Sequence, residues 1–164
     1  MSETNEFITS IHDCTVQQFM EPVHPTMFFV ERTADVSLVF STLCKKHHVW
    51  VVDNKKNLQL IGVITESDTL PLLASPSMAL QSFDTPTTLQ SFQYGLSPTA
   101  EEIMSKKPVT VFSDEKMERV IEKMRQHNIK QVAVIDEKGA LKGEVTLLRL
   151  IQEFPQKKNT VPRS

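Results

Sequence analysis

Thr65 and Asp68 stand three residues apart where the apolar run LIGVIT gives way to a helical pattern. A carboxylate in the first turn of a helix is fixed in place. It can accept from two neighbouring hydroxyls, such as those of a ribose, in charge-assisted bonds. Thr65, at the strand end, offers a hydroxyl beside helix-start amides that favour phosphate. The same spacing also serves local structure, with Thr65 and Ser67 capping the helix and Asp68 complementing its dipole. Further along, LKGEVT (141–146) leads into a like segment that keeps Thr146 but has Arg149 where the first has Asp68. A guanidinium only donates, so this second constellation is degenerate for binding hydroxyls. Arg149 suits a phosphate instead, or a surface pair with Glu144 or Glu153.

Few other residues suggest chemistry. The adjacent His47 and His48 hint at a metal, but consecutive strand residues point to opposite faces and cannot chelate together. No metal site is expected. Cys14 and Cys44 form no CxxC and read as two free thiols of a reducing cytosol. There is no GxGxxG, no P-loop and no nucleophile elbow, so the chain is not expected to be an enzyme.

The elements that position these residues occur twice. TVQQFM (15–20) matches TAEEIM (99–104), VWVVD (49–53) matches VAVID (132–136), and IGVIT (61–65) matches KGEVT (142–146), at offsets of 84, 83 and 81 residues. Val36, Val39, Phe40 and Leu43 form one helical stripe, and Met117, Val120, Ile121 and Met124 repeat it. Thr33 and Ser113 read as the N-caps, with Asp35, Asp114 and Glu115 in the first turns. Both stripes are core. The runs VWVV and VAVI lack polar alternation, as a strand covered on both faces does. Polar turns follow, DNKKN and DEKGA, the latter with Gly139 for a positive φ. A second strand and a closing helix (66–73 and 147–154) end each copy, and MFFV and VTVF supply a short leading strand. Each unit is β-α-β-β-α, an α/β (α+β) chain.

The expected organisation is a first repeat over 11–73, a connector over 74–97, a second repeat over 98–154 and a flexible tail over 155–164. The connector is rich in Ser, Thr, Pro and Gln, with Phe83, Leu89, Phe92 and Tyr94 able to dock it. The 164 residues suffice for a real core. The 40% hydrophobic content, 23% charged content and net charge of −2 give no reason to expect nucleic acid or an anionic membrane as partner. No apolar run approaches a bilayer span, and the polar start is no signal peptide. A cytoplasmic protein without direct membrane contact is the expectation.

The doubled set resembles the cystathionine-β-synthase (CBS) domain, and the tandem resembles a Bateman module. The residues that carry the resemblance are the methionine ending each first block, the hhVhD strand, and Gly62–Asp68, GVITESD, as Ghh(T/S)xxD. It covers about Ile11 to Phe154. The resemblance implies two repeats packed sheet to sheet about a pseudo-twofold axis, with clefts that hold AMP, ADP, ATP or S-adenosylmethionine. No cofactor is required. Carried over position by position, it implies Gly62, Ile64, Thr65 and Asp68 at ribose and phosphate, and Phe28, Phe29 and Trp50 near the base. His47, His48, Lys130 and Gln131 would meet phosphate, while Gly143, Thr146 and Arg149 mark the degenerate second site. Trp50 stands where the family often has proline, so it serves either as a base-stacking ring or as a core indole.

What the resemblance implies is a sensor that relays ligand occupancy to an unknown effector protein, as a homodimer. Two alternatives stand beside it: a ligand-free dimerisation or interaction module, and the cytosolic regulatory part of a channel or transporter.

Overall fold

The two valine-rich runs become the central strands of two four-stranded sheets. The structure is a computed structural model describing residues 2–24, 29–74 and 97–154. Phe28, the connector residues Phe83, Leu89, Phe92 and Tyr94, and the tail from Pro155 lie outside the described residues.

In the first sheet, β3 (His48–Val52) is buried along its whole length. It runs parallel to β2 (Phe29–Glu31) and antiparallel to β4 (Leu60–Thr65). In the second, β7 (Gln131–Ile135) runs parallel to β6 (Thr110–Val111) and antiparallel to β8 (Leu141–Thr146). Helix α3 (Val36–Leu43) belongs to the first copy and α6 (Met117–His127) to the second. The second copy closes with α7 (Leu147–Gln152). In the first, the expected closing helix is split into a 3-10 turn, Glu66–Thr69, and α4 (Leu70–Leu73).

The first block of each repeat crosses to the other. Strand β1 (Glu21–Pro22) pairs with β8, and β5 (Ser105–Lys106) pairs with β4. The short helices ahead of them, α2 (Val16–Phe19) and α5 (Ala100–Ile103), cross as well. Val16 is buried with Met117, Val120 and Val145, and Ala100 and Ile103 with Val39, Val49 and Ile64. Both helices start with a capping box: the Thr15 amide donates to Gln18 Oε1 at 2.8 Å, and that of Thr99 to Glu102 Oε2 at 2.6 Å. Arg32 ties the exchange down. Its guanidinium reaches Asp53 of the hhVhD motif at 2.9 Å and also pairs with Glu101.

The crossing explains the methionine and glycine of the repeat. A Cβ built on Gly62 would collide with the Met104 side chain, and one on Gly143 with the backbone oxygen of Glu21 and the Met20 side chain. These positions stay bare so that the partner repeat's first strand can approach.

The sheets face each other across Trp50, Val52, Ala133 and Leu141, all buried. The contacts run both ways, as a pseudo-twofold axis requires. The Leu60 amide donates to the Gly139 carbonyl at 3.1 Å, and the Leu141 amide to that of Leu58 at 2.9 Å. Gly139 takes the expected positive φ, +81°, and Leu58 at the equivalent turn takes +53°. Leucine is strained there, but its side chain packs into the interface between the sheets.

Both expected helix caps require correction. Asp35, not Thr33, caps α3, accepting from the Ser37 amide at 2.8 Å. Helix α6 begins after Lys116, not after Ser113. The carbonyls of Ser113 and Glu115 accept instead from the amides of Gln17 and Val16 on the crossing arm. An additional helix, α1 (Glu3–Asp13), packs on α6, with Ile11 buried and Phe7 edge-on to Phe154 at 4.9 Å.

Candidate functional site

A cleft of about 620 Å³ opens where the starts of β3 and β7 meet the ends of β4 and β8. The fold brings His47, His48, Thr65, Lys130, Gln131, Thr146 and Arg149 to its wall. The paired positions within each sheet, His48 beside Thr65 and Gln131 beside Thr146, make the cleft two-sided and quasi-symmetric. Lys46, Glu21 and Ser67 also line it. Lys46 was not singled out from the sequence, although it stands in the basic run KKHH (45–48); Glu21 was not either, because only the crossing of β1 brings it here.

The other expected residues sit behind or beside the wall. Ile64 is fully buried in the core of the first sheet. Gly62 and Gly143 press against the crossing strands. Phe29 packs between the sheets. Trp50 is 1% exposed and takes no part in the wall. Of its two readings, the core indole is the one the structure favours.

Asp68 is engaged locally. Its Oδ2 accepts from the Thr65 amide at 2.7 Å and from Thr65 Oγ1 at 3.0 Å, closing a capping box. Its Oδ1 accepts from Ser105 Oγ at 2.8 Å. A carboxylate has about four lone-pair sites, so three are in use. In the second copy, Thr146 caps α7 alone, its Oγ1 accepting from the Arg149 amide at 3.2 Å. The Arg149 side chain pairs with Glu153 at 2.7 Å, one of the two surface partners expected for it.

Glu144, the other expected partner, is instead buried. At 3% exposure it lies beneath the cleft, where its Oε2 accepts from His48 Nε2 at 2.6 Å and from Trp50 Nε1 at 2.7 Å. His48 is 7% exposed, while the side chain of its neighbour His47 is 92% exposed and pairs with Glu66 at 2.8 Å. His47 lies in the bend just before β3 and His48 is the first residue of the strand, so the two imidazoles meet opposite environments. Burial acts to raise the Glu144 carboxyl, but the His48 contact, the Trp50 donor and the Lys46 charge outweigh it. The carboxyl is held below its ordinary value. Among the described residues, no cluster of three or more His, Cys, Asp or Glu could hold a metal ion, and no helix is long and apolar enough to cross a membrane.

Residues 100–155 match the family model of the CBS domain. The crystal structure of CBSX2 in complex with AMP superposes with a TM-score of 0.67 at 24% identity, over 84% of this chain and 93% of that one. This chain has the fold of a tandem CBS domain pair. The CBS domain of a bacterial CNNM/CorC family Mg2+ transporter in complex with ATP superposes with a TM-score of 0.65 at 18% identity, over 93% and 94% of the two chains. The CBS pair of protein MJ0100, in complex with 5'-methylthioadenosine and S-adenosyl-L-methionine, does so with a TM-score of 0.60 at 22% identity, over 87% and 100%. A curated relative, homoserine O-acetyltransferase of Methanosphaera stadtmanae, is 25% identical over 123 residues. The match covers 74% of this chain but only 21% of the relative.

Proposed function

We propose that this CBS pair is a non-catalytic regulatory module. It binds an adenosine-containing ligand, of the class AMP, ADP, ATP or S-adenosylmethionine, in the cleft between its repeats and relays occupancy to a partner protein. The observation that carries the reading is the cleft itself. It has the volume of a small-molecule site, and threonines from both repeats and basic residues from both sheets converge on it. The ligands named for similar CBS pairs belong to this class.

In this reading Thr65 and the basic wall meet phosphate; Asp68 does not line the cleft but is bonded to Thr65 at its edge, where it meets the ribose. Asp68 has one lone-pair site to spare, so full engagement of two hydroxyls requires Ser105 to give way. The exposed Leu70, Leu73, Leu148 and Ile151 on the closing helices suit a homodimer contact. A cytoplasmic location accompanies the reading. Likeness to the CNNM/CorC domain favours a second version, in which the partner is a transporter.

The test is calorimetric titration with AMP, ADP, ATP and S-adenosylmethionine, on the parent and on Asp68→Asn. Micromolar binding, about −8 kcal/mol, is expected. The variant should weaken it at least tenfold, since a hydrogen bond to a charged group contributes about 1.5–3 kcal/mol. If no ligand gives heat with a folded parent, the sensor reading fails and a ligand-free interaction module replaces it.

A further inference from the structure

The cleft is basic at its surface, yet nearly every basic group there has an acid behind it. Arg149 has Glu153, and His47 has Glu66. These pairs are substantially exposed, so they are screened and free to swing toward an arriving anion. Glu144 differs. It is buried, and it is clamped by His48 and Trp50 from the other repeat. Its charge acts on Lys46 as well as on His48, and both line the cleft. Its strand neighbour in the register is Glu21, a further carboxylate on the wall. A buried charge that cannot rotate away is screened little, so every negative charge added to a ligand meets the same opposing field.

We infer that Glu144, supported by Glu21, is the charge selector of the cleft, and that the cleft favours a ligand of low negative charge, a nucleoside monophosphate over a triphosphate. The inference rests on the ligand-binding reading above and narrows its ligand class. The mechanism is Coulombic: each additional phosphate charge is opposed by a fixed carboxylate whose own counter-charges are already engaged.

The experiment is calorimetry on the full chain with adenosine, AMP and ATP, for the parent, Glu144→Gln and Glu21→Gln. The parent should bind AMP more tightly than ATP. Glu144→Gln keeps one acceptor oxygen for the His48 and Trp50 contacts and removes the charge, with an amide donor in place of the second oxygen. It should improve ATP affinity tenfold or more, AMP affinity several-fold less than that, and adenosine affinity not at all. Glu21→Gln, on an exposed strand, should give the same order with smaller gains, and it carries the test if Glu144→Gln does not fold. A parent that prefers ATP, or gains equal for all three ligands, overturns the inference. If adenosine, AMP, ATP and S-adenosylmethionine all fail to bind, the ligand-binding reading is what has failed. The selector is then judged with inorganic phosphate and tripolyphosphate, followed by amide shifts at Lys130 and Thr146. A larger gain for tripolyphosphate in the variants upholds it, whereas an equal gain or no binding sinks it.

Discussion

His48 and Glu144 are separated by 96 residues in the chain and by 2.6 Å between Nε2 and Oε2. They come from different repeats, so this contact and the Trp50 bond beside it pin one sheet to the other beneath the cleft. Removing one partner of a buried pair leaves the other desolvated and uncompensated. For Glu144→Ala we expect a loss of about 3 kcal/mol in urea unfolding of the full chain. A loss under about 0.5 kcal/mol, the scale of an ordinary surface substitution, would show that the pair does not hold the repeats together.

The same carboxylate gives the molecule an acid limb of known sign. Its folded-state pKa is depressed, so the unfolded chain takes up this proton first as the pH falls. The stabilisation is complete above the ordinary carboxylate value of 4.5 and is lost as the pH drops through the lower folded value. Thermal midpoints measured from neutral pH down to pH 3 should fall less steeply for Glu144→Gln than for the parent. Parallel curves would remove Glu144 from the acid response.

Trp50 shows how far the sequence could be read. Its place in the repeat was visible from VWVVD and VAVID, and burial on both faces followed from the absence of polar alternation. Whether its ring met a ligand or the core depended on Glu144, which lies 94 residues away and leaves no local signal. The caps failed for a related reason. Asp35 and Lys116 form bridges with Thr99 and Thr15, so the helix starts are set by arms from the other repeat. The fold of each unit was legible because periodicity is local. The exchange of first strands was not, since pairing of β1 with β8 satisfies the same pattern as pairing at home. Thr65, Thr146, His47, His48, Lys130 and Arg149 of the wall were singled out from the sequence, whereas Lys46 and Glu21 were not, Glu21 because only the exchange delivers it.

Trp50 also makes a separable prediction. Trp50→Phe removes one donor to a buried carboxylate while leaving the cleft wall intact. It should cost about 1.5–3 kcal/mol of stability and leave the affinity for AMP within about twofold, below half a kcal/mol. A large affinity loss with unchanged stability would restore the base-stacking reading.

The bare positions facing the exchanged strands yield the last prediction. At Gly143 an added Cβ meets the backbone oxygen of Glu21, which is fixed by its pairing with β8. At Gly62 the nearest obstacle is the Met104 side chain, whose three rotatable bonds let it move, while Ser105 O stands at 3.0 Å. Neither glycine has a positive φ, so steric contact and not backbone strain decides the outcome. Gly143→Ala should destabilise the chain by about 1–3 kcal/mol, the usual range for overpacking. Gly62→Ala should cost less, and shortening the obstacle in Gly62→Ala with Met104→Ala should return part of that loss. Chemical unfolding of the three variants ranks them directly. Equal costs at the two glycines would mean that the crossing strands shift as rigid bodies, and the exchange would then be a looser attachment than the paired register implies.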